Sequence, residues 1–122
     1  MEAVTGIGGL FFRSKHPEKL AGWYEKNLSI SPVLDSYEKA GWLQQAGTTV
    51  FAPFKNNSDY FGDDSKSWMI NFRVNNLDAM VAQLECAGIP VSIDSTIYPN
   101  GRFARLCDPE GNPIELWEPN TP

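Results

Sequence analysis

Near the end of the chain a glutamate stands inside an apolar run, Pro113-Ile-Glu115-Leu-Trp117. A carboxylate suits a strand centre poorly unless its face looks into a polar cleft or onto a partner. Glu115 is therefore either a ligand to something bound or one half of an ion pair. Two arginines are available to it, Arg13 at the end of Gly9-Leu-Phe-Phe-Arg13 and Arg73 at the end of Met69-Ile-Asn-Phe-Arg73. Their guanidinium groups could pair with Glu115, or could hold a carboxylate or phosphate of a ligand. A third role is general acid or base, with the pKa of Glu115 raised by burial. No second catalytic group stands beside it, so that role has the least support.

Aromatic residues accompany these polar groups. Phe11, Trp42, Phe51, Trp68, Trp117 and the adjacent Tyr60 and Phe61 are more than two small helices can absorb. Planar side chains around a pocket favour flat or apolar ligands. Each one alone is also compatible with plain core.

The elements that position these residues follow from local signals. Phe103–Cys107 and Pro113–Trp117 flank Asp108-Pro-Glu-Gly-Asn112, in which Pro109 presets a turn and Gly111 and Asn112 tolerate left-handed backbone, so the unit is a β-hairpin. The segment at residue 9 aligns with that at residue 69, a repeat of 60 residues, and each is a strand running into a helix. The first helix follows His16-Pro17, with Leu20, Trp23, Tyr24 and Leu28 on one stripe. The second has Asn76 as N-cap, Leu77, Met80, Val81 and Leu84 as its stripe, and Gly88 as its stop. Candidate strands follow each helix, at 31–36, 41–45 and 48–53 and again at 90–93, 102–107 and 112–118.

The chain therefore reads as one α+β domain of two βαβββ modules, a mixed, curved sheet enclosing a cleft. Module one spans about 1–54, a linker about 55–66 and module two about 67–122. Alternation along strands puts Leu10, Phe12, Ile70, Phe72, Val74, Ile114 and Leu116 under the helices. The opposite face then carries Gly9, Phe11, Arg13, Met69, Asn71, Arg73, Glu115 and Trp117, a mixture suited to a cleft wall. In the polar linker, Tyr60 and Phe61 are either a lid over that cleft or staples to the sheet or to a second subunit. Residues 95–101 could form part of the rim.

Composition sets the outer bounds. At 122 residues the chain is one domain, and a net charge of −5 disfavours nucleic acid or an anionic membrane surface as partner. No apolar run approaches the roughly 20 residues of a membrane span. The first residues lack a signal-peptide pattern, and Cys86 and Cys107 lack metal-site or redox spacing, so the expectation is a cytoplasmic protein with reduced thiols. The glycosylation patterns Asn27-Leu-Ser and Asn56-Asn-Ser carry little weight without secretion.

The paired modules, the helix ending Trp23-Tyr-Glu-Lys-Asn-Leu-Ser-Ile30 and the closing Asp108-Pro-Glu-Gly-Asn-Pro-Ile-Glu115-Leu together resemble the vicinal oxygen chelate superfamily. That superfamily includes glyoxalase I, extradiol dioxygenases, fosfomycin-resistance enzymes and bleomycin-binding resistance proteins. The resemblance spans essentially the whole chain. It implies two half-barrels around a cleft for metal, substrate or drug, and it implies a homodimer, since exposed strand edges are usually covered. The metal-dependent members take ligands from the first and last strands of each module. Those positions fall on Gly9, Met69, Thr49 or Phe51, and Glu115, so only Glu115 suits a hard divalent ion. The lone His16, beside Pro17, reads as a solvated loop residue.

A metal site and any metal cofactor are therefore not expected. The resemblance implies instead a metal-independent small-molecule binder, taking an aromatic or amphipathic compound in the inter-module cleft through Phe11, Arg13, Phe51, Tyr60, Phe61, Met69, Asn71, Arg73, Glu115 and Trp117. The alternative is a lyase- or isomerase-type enzyme of the same superfamily with a non-standard or absent metal site, in which Glu115 is the one catalytic candidate. A structural module that dimerises through the same sheet face is a third possibility.

Overall fold

A computed structural model describes residues 1–32, 38 and 40–120. Two helices and four strands form, in the order α1 (Pro17–Leu28), β1 (Ile70–Arg73), α2 (Leu77–Cys86), β2 (Ser92–Ile93), β3 (Gly101–Cys107) and β4 (Pro113–Pro119). The strands make one mixed sheet in the order β1-β4-β3-β2. β1 runs parallel to β4, and the other neighbours are antiparallel. The second half of the chain is thus a complete βαβββ unit.

Both helices begin where the sequence signals place them, but their caps differ. The side chain of Asn76 accepts from the Ala79 N–H at 3.0 Å, and Glu118 on β4 accepts from the Leu77 N–H at 2.7 Å. His16 gives α1 no side-chain cap. Glu110, in the hairpin loop, accepts instead from the N–H groups of Lys15 at 2.9 Å and His16 at 3.3 Å, and from the Ser14 hydroxyl at 2.6 Å. Two acids of the C-terminal hairpin therefore satisfy backbone donors that helix starts leave open. Helix α2 stops at Gly88, whose φ of +80° suits glycine.

The hairpin loop is organised by Asp108. Its buried carboxylate accepts from the N–H groups of Glu110 and Asn112, the Asn112 amide and, at 2.7 Å, the Tyr24 hydroxyl of α1. Burial, helped by that bond and the carboxylate's charge, pushes the ionisation of Tyr24 upward. The core lies on one face of the sheet, where Leu20 and Tyr24 of α1 and Leu77, Val81 and Leu84 of α2 meet Ala104, Leu106, Ile114 and Leu116. Fully burying such aliphatic side chains stabilises by about 1.5–3 kcal/mol each.

The first half departs from expectation. Among the described residues, 9–13, 41–45 and 48–53 pair with no strand, and most of the expected strand at 31–36 lies outside the described residues. Leu10 and Phe12, expected under the helices, are 49% and 38% exposed. Alternation tells which face a residue takes once its strand is paired, but it does not supply the neighbouring strand. Among the described residues no strand pairs with the edge of β1 away from β4.

Candidate functional site

On the sheet face opposite the core, register lines side chains up in two ranks. Asn71 on β1 lies opposite Glu115 on β4, which lies opposite Arg105 on β3. One step along, Arg73, Trp117 and Phe103 form the second rank. Their neighbours Ala104, Leu106, Ile114 and Leu116 point into the core, so this composition follows from strand parity.

Glu115 is 8% exposed and fully engaged. The Tyr60 hydroxyl donates to its Oε2 at 2.5 Å, and the Asn71 amide donates to its Oε1 at 2.7 Å. The Arg105 guanidinium carbon lies 4.2 Å from the centre of the Tyr60 ring, and Arg105 also donates through Nη2 to the Tyr60 carbonyl. Its Nε is buried without a partner among the described residues. Phe54 lies against both aromatic residues of the loop, 5.8 Å from Tyr60 and 5.1 Å from Phe61 between ring centres. Burial, then the hydrogen bond to Glu115 and its charge, push the Tyr60 ionisation up to about 12, with Arg105 opposing. The phenol therefore keeps its proton at neutral pH and donates it to the carboxylate.

The second rank is aromatic. Trp117 and Phe103 stack at 6.3 Å with 5° between their planes, and Tyr98 meets Phe103 edge-on at 5.7 Å. The Trp117 indole N–H donates to the Asn100 carbonyl at 2.8 Å. Gly101 makes this closeness feasible: its φ is +132°, and a Cβ there would sit 2.2 Å from the Glu118 carbonyl oxygen. Arg73 donates to the carbonyls of Thr48 at 2.5 Å and Gln45 at 2.8 Å, so its guanidinium holds the 45–48 segment.

Of the residues singled out from sequence, Tyr60, Asn71 and Glu115 come into direct contact, with Arg73 and Trp117 in the adjoining rank. Phe61 belongs to the loop through Phe54, and Met69 immediately precedes β1, half-buried. Phe11 and Phe51 are 93% and 86% exposed in the unpaired first half. Arg13 is exposed and lines an open cavity of about 590 Å³ with Lys15, His16, Lys66 and Glu110, on the hairpin-loop side. No ion pair joins Glu115 to either expected arginine among the described residues; a phenol and an amide satisfy the carboxylate instead. Trp42 lies against Phe72, and Trp68 against Phe12.

Arg105 and Phe103 were not among the residues expected at the site. Their signal was present, because Arg102-Phe-Ala-Arg-Leu106 alternates and hairpin pairing sets Arg105 opposite Glu115. The donor set around Glu115 does not fit a divalent metal. Tyr60 and Asn71 turn hydrogens onto both oxygens, Arg105 adds positive charge nearby, and the described residues contain no cluster of three or more His, Cys, Asp or Glu.

No family sequence profile matches the chain, and no curated protein matches it by sequence. Among solved structures, TnmS3, an antibiotic binding protein from Streptomyces sp. CB03234, is 23% identical with a TM-score of 0.66, over 98% of this chain and 100% of that one. A glyoxylase/bleomycin resistance protein/dioxygenase domain from Frankia sp. EAN1pec is 14% identical with a TM-score of 0.62, over 97% and 100%. A member of the same superfamily from Sphaerobacter thermophilus DSM 20745 is 20% identical with a TM-score of 0.56, over 86% and 90%. The chain has the fold of these solved structures, two of which are described as a domain or member of the glyoxalase/bleomycin resistance protein/dioxygenase group.

Proposed function

We propose that this protein binds a small aromatic or amphipathic molecule on the open sheet face, without a metal, as a member of the superfamily whose fold it has. The observation that carries the reading is the state of Glu115. Both oxygens accept from protein donors, in a bed formed by Tyr60, Phe103 and Trp117, so the acid is a hydrogen-bond acceptor for a ligand and not a metal ligand. The description of TnmS3 as an antibiotic binding protein supports the same reading.

The working form is a cytoplasmic homodimer that meets neither nucleic acid nor a membrane. Its support is the open edge of β1 and the exposed Val4, Ile7, Phe11, Leu43, Val50 and Phe51 of the unpaired first half. A second copy would give residues 9–13, 41–45 and 48–53 the strand partners that make them the first βαβββ module. Among the described residues no helix is long and apolar enough to cross a membrane. Sedimentation should give twice the chain mass, reduced by Phe51→Asp; a monomer at micromolar concentration would refute the dimer.

Elemental analysis of the purified protein tests metal independence, and a thermal-shift screen of aromatic drugs and metabolites tests binding. The expected result is no stoichiometric divalent metal and a raised melting temperature with some compounds. Stoichiometric metal that disappears in Glu115→Gln would overturn the reading in favour of lyase- or isomerase-type chemistry. A flat response across the screen would favour a structural module.

A further inference from the structure

We infer that Tyr60 is a built-in occupant of the site, and that the ligand is a planar hydroxyaromatic whose hydroxyl takes over the hydrogen bond to Glu115 and displaces the 55–66 loop. This deepens the small-molecule reading and rests on it. Tyr60 already shows how such a group is held. Its ring lies under the Arg105 guanidinium and against the tilted ring of Phe54, and its hydroxyl donates to Glu115 Oε2. A hydroxylated flat ring offers the same π-face to Arg105 and the same donor to the carboxylate. It could also spread over Trp117 and Phe103, which the single ring of Tyr60 is too small to cover.

The loop is suited to leaving. Its backbone hydrogen bonds are local turns, Ser58 to Lys55, Gly62 to Asp59 and Lys66 to Asp63, so moving it breaks no sheet bond. Among the described residues its polar ties to the sheet strands pass through Tyr60, by the hydroxyl to Glu115 and the carbonyl to Arg105. Lys66 at its end donates to the Glu110 carbonyl and the Asn112 amide oxygen of the hairpin loop and stays as the anchor about which the rest moves. Gly62, at φ +81° with open space around it, gives the chain a pivot. Arg105 supplies the remaining incentive. Its buried Nε has no acceptor among the described residues while Tyr60 is seated, and a carbonyl or second oxygen on the ligand would satisfy it.

The probes are 2-naphthol and 2-methoxynaphthalene, equal in shape except for the donor. Wild-type protein should bind the naphthol about tenfold more tightly than its ether, as a hydrogen bond to a charged acceptor predicts. Tyr60→Phe keeps the ring and loses the competing hydroxyl, so naphthol affinity should rise about fivefold. Added naphthol should also speed trypsin cleavage at Lys55 in the wild type, a readout that needs no variant. Equal affinity for the two probes would overturn hydroxyl donation while leaving the broader binding reading to the thermal-shift screen. Unchanged naphthol affinity in Tyr60→Phe, or slower cleavage at Lys55, would overturn displacement. If neither probe binds either protein at millimolar concentration, the inference fails even where the screen finds other ligands.

Discussion

Tyr60 and Glu115, 55 residues apart in the chain, share a 2.5 Å hydrogen bond that ties the loop between the halves to the centre of β4. Its first consequence is a pH dependence. The fold raises the Tyr60 ionisation to about 12, above the value of about 10 in an unfolded chain. A raised folded value means the stabilisation is complete below about pH 10 and is lost as pH rises from there through about 12. Between about pH 10 and 12 the melting temperature of the wild type should fall more steeply than that of Tyr60→Phe. Parallel curves would mean the bond is absent in solution.

The hairpin loop should be far more sensitive to Asp108 than its solvent-facing turn suggests. Asp108→Ala leaves the Tyr24 hydroxyl and two backbone N–H groups without their acceptor. A loss of about 3 kcal/mol is expected from denaturant unfolding, against about 1 kcal/mol for Tyr24→Phe. A double-mutant cycle should return a coupling of about 1 kcal/mol between them.

Two glycines should respond in opposite directions. Gly22 lies inside α1 with nothing within 4 Å of a would-be Cβ, so Gly22→Ala should stabilise by about 0.8 kcal/mol. Gly101→Ala must place its Cβ against the Glu118 carbonyl and adopt a forbidden φ. It should cost about 3 kcal/mol or more and alter the tryptophan fluorescence, since Trp117 shares that contact.

Arg105 is the clamp on the loop. Arg105→Ala removes both the stacking partner of Tyr60 and the donor to its carbonyl. Trypsin should then cut at Lys55 and Lys66 faster than in the wild type, with a fall in global stability of only about 1 kcal/mol. Cleavage at the wild-type rate would show that the loop is held by other contacts.

Local and periodic features were legible in the sequence. The turn at Asp108–Asn112, the stripes of α1 and α2, the Asn76 cap, the Gly88 stop and the face of Glu115 all rest on spacing within one element. Features that join distant segments were not. Nothing local marks Glu110 and Glu118 as caps for helices that begin 94 and 41 residues earlier in the contacts they make. The partner of Glu115 was sought among arginines because opposite charges are the obvious match, whereas the fold delivers a tyrosine from a loop. The first-half strands depend on neighbours that a single chain's pattern cannot supply, so their apolar residues are exposed here.

The two capping acids have a geometric consequence. Glu110 sits just before β4 and Glu118 near its end, eight residues apart, and each holds the start of a different helix. The strand between them is therefore a ruler that spaces α1 from α2. Glu115 is a graduation on that ruler. Inserting one residue between Asn112 and Glu115 would turn the carboxylate toward the core and carry Glu118 past Leu77 in the same step. Helix spacing and the binding face are thus written in one length of chain, and neither can drift without the other.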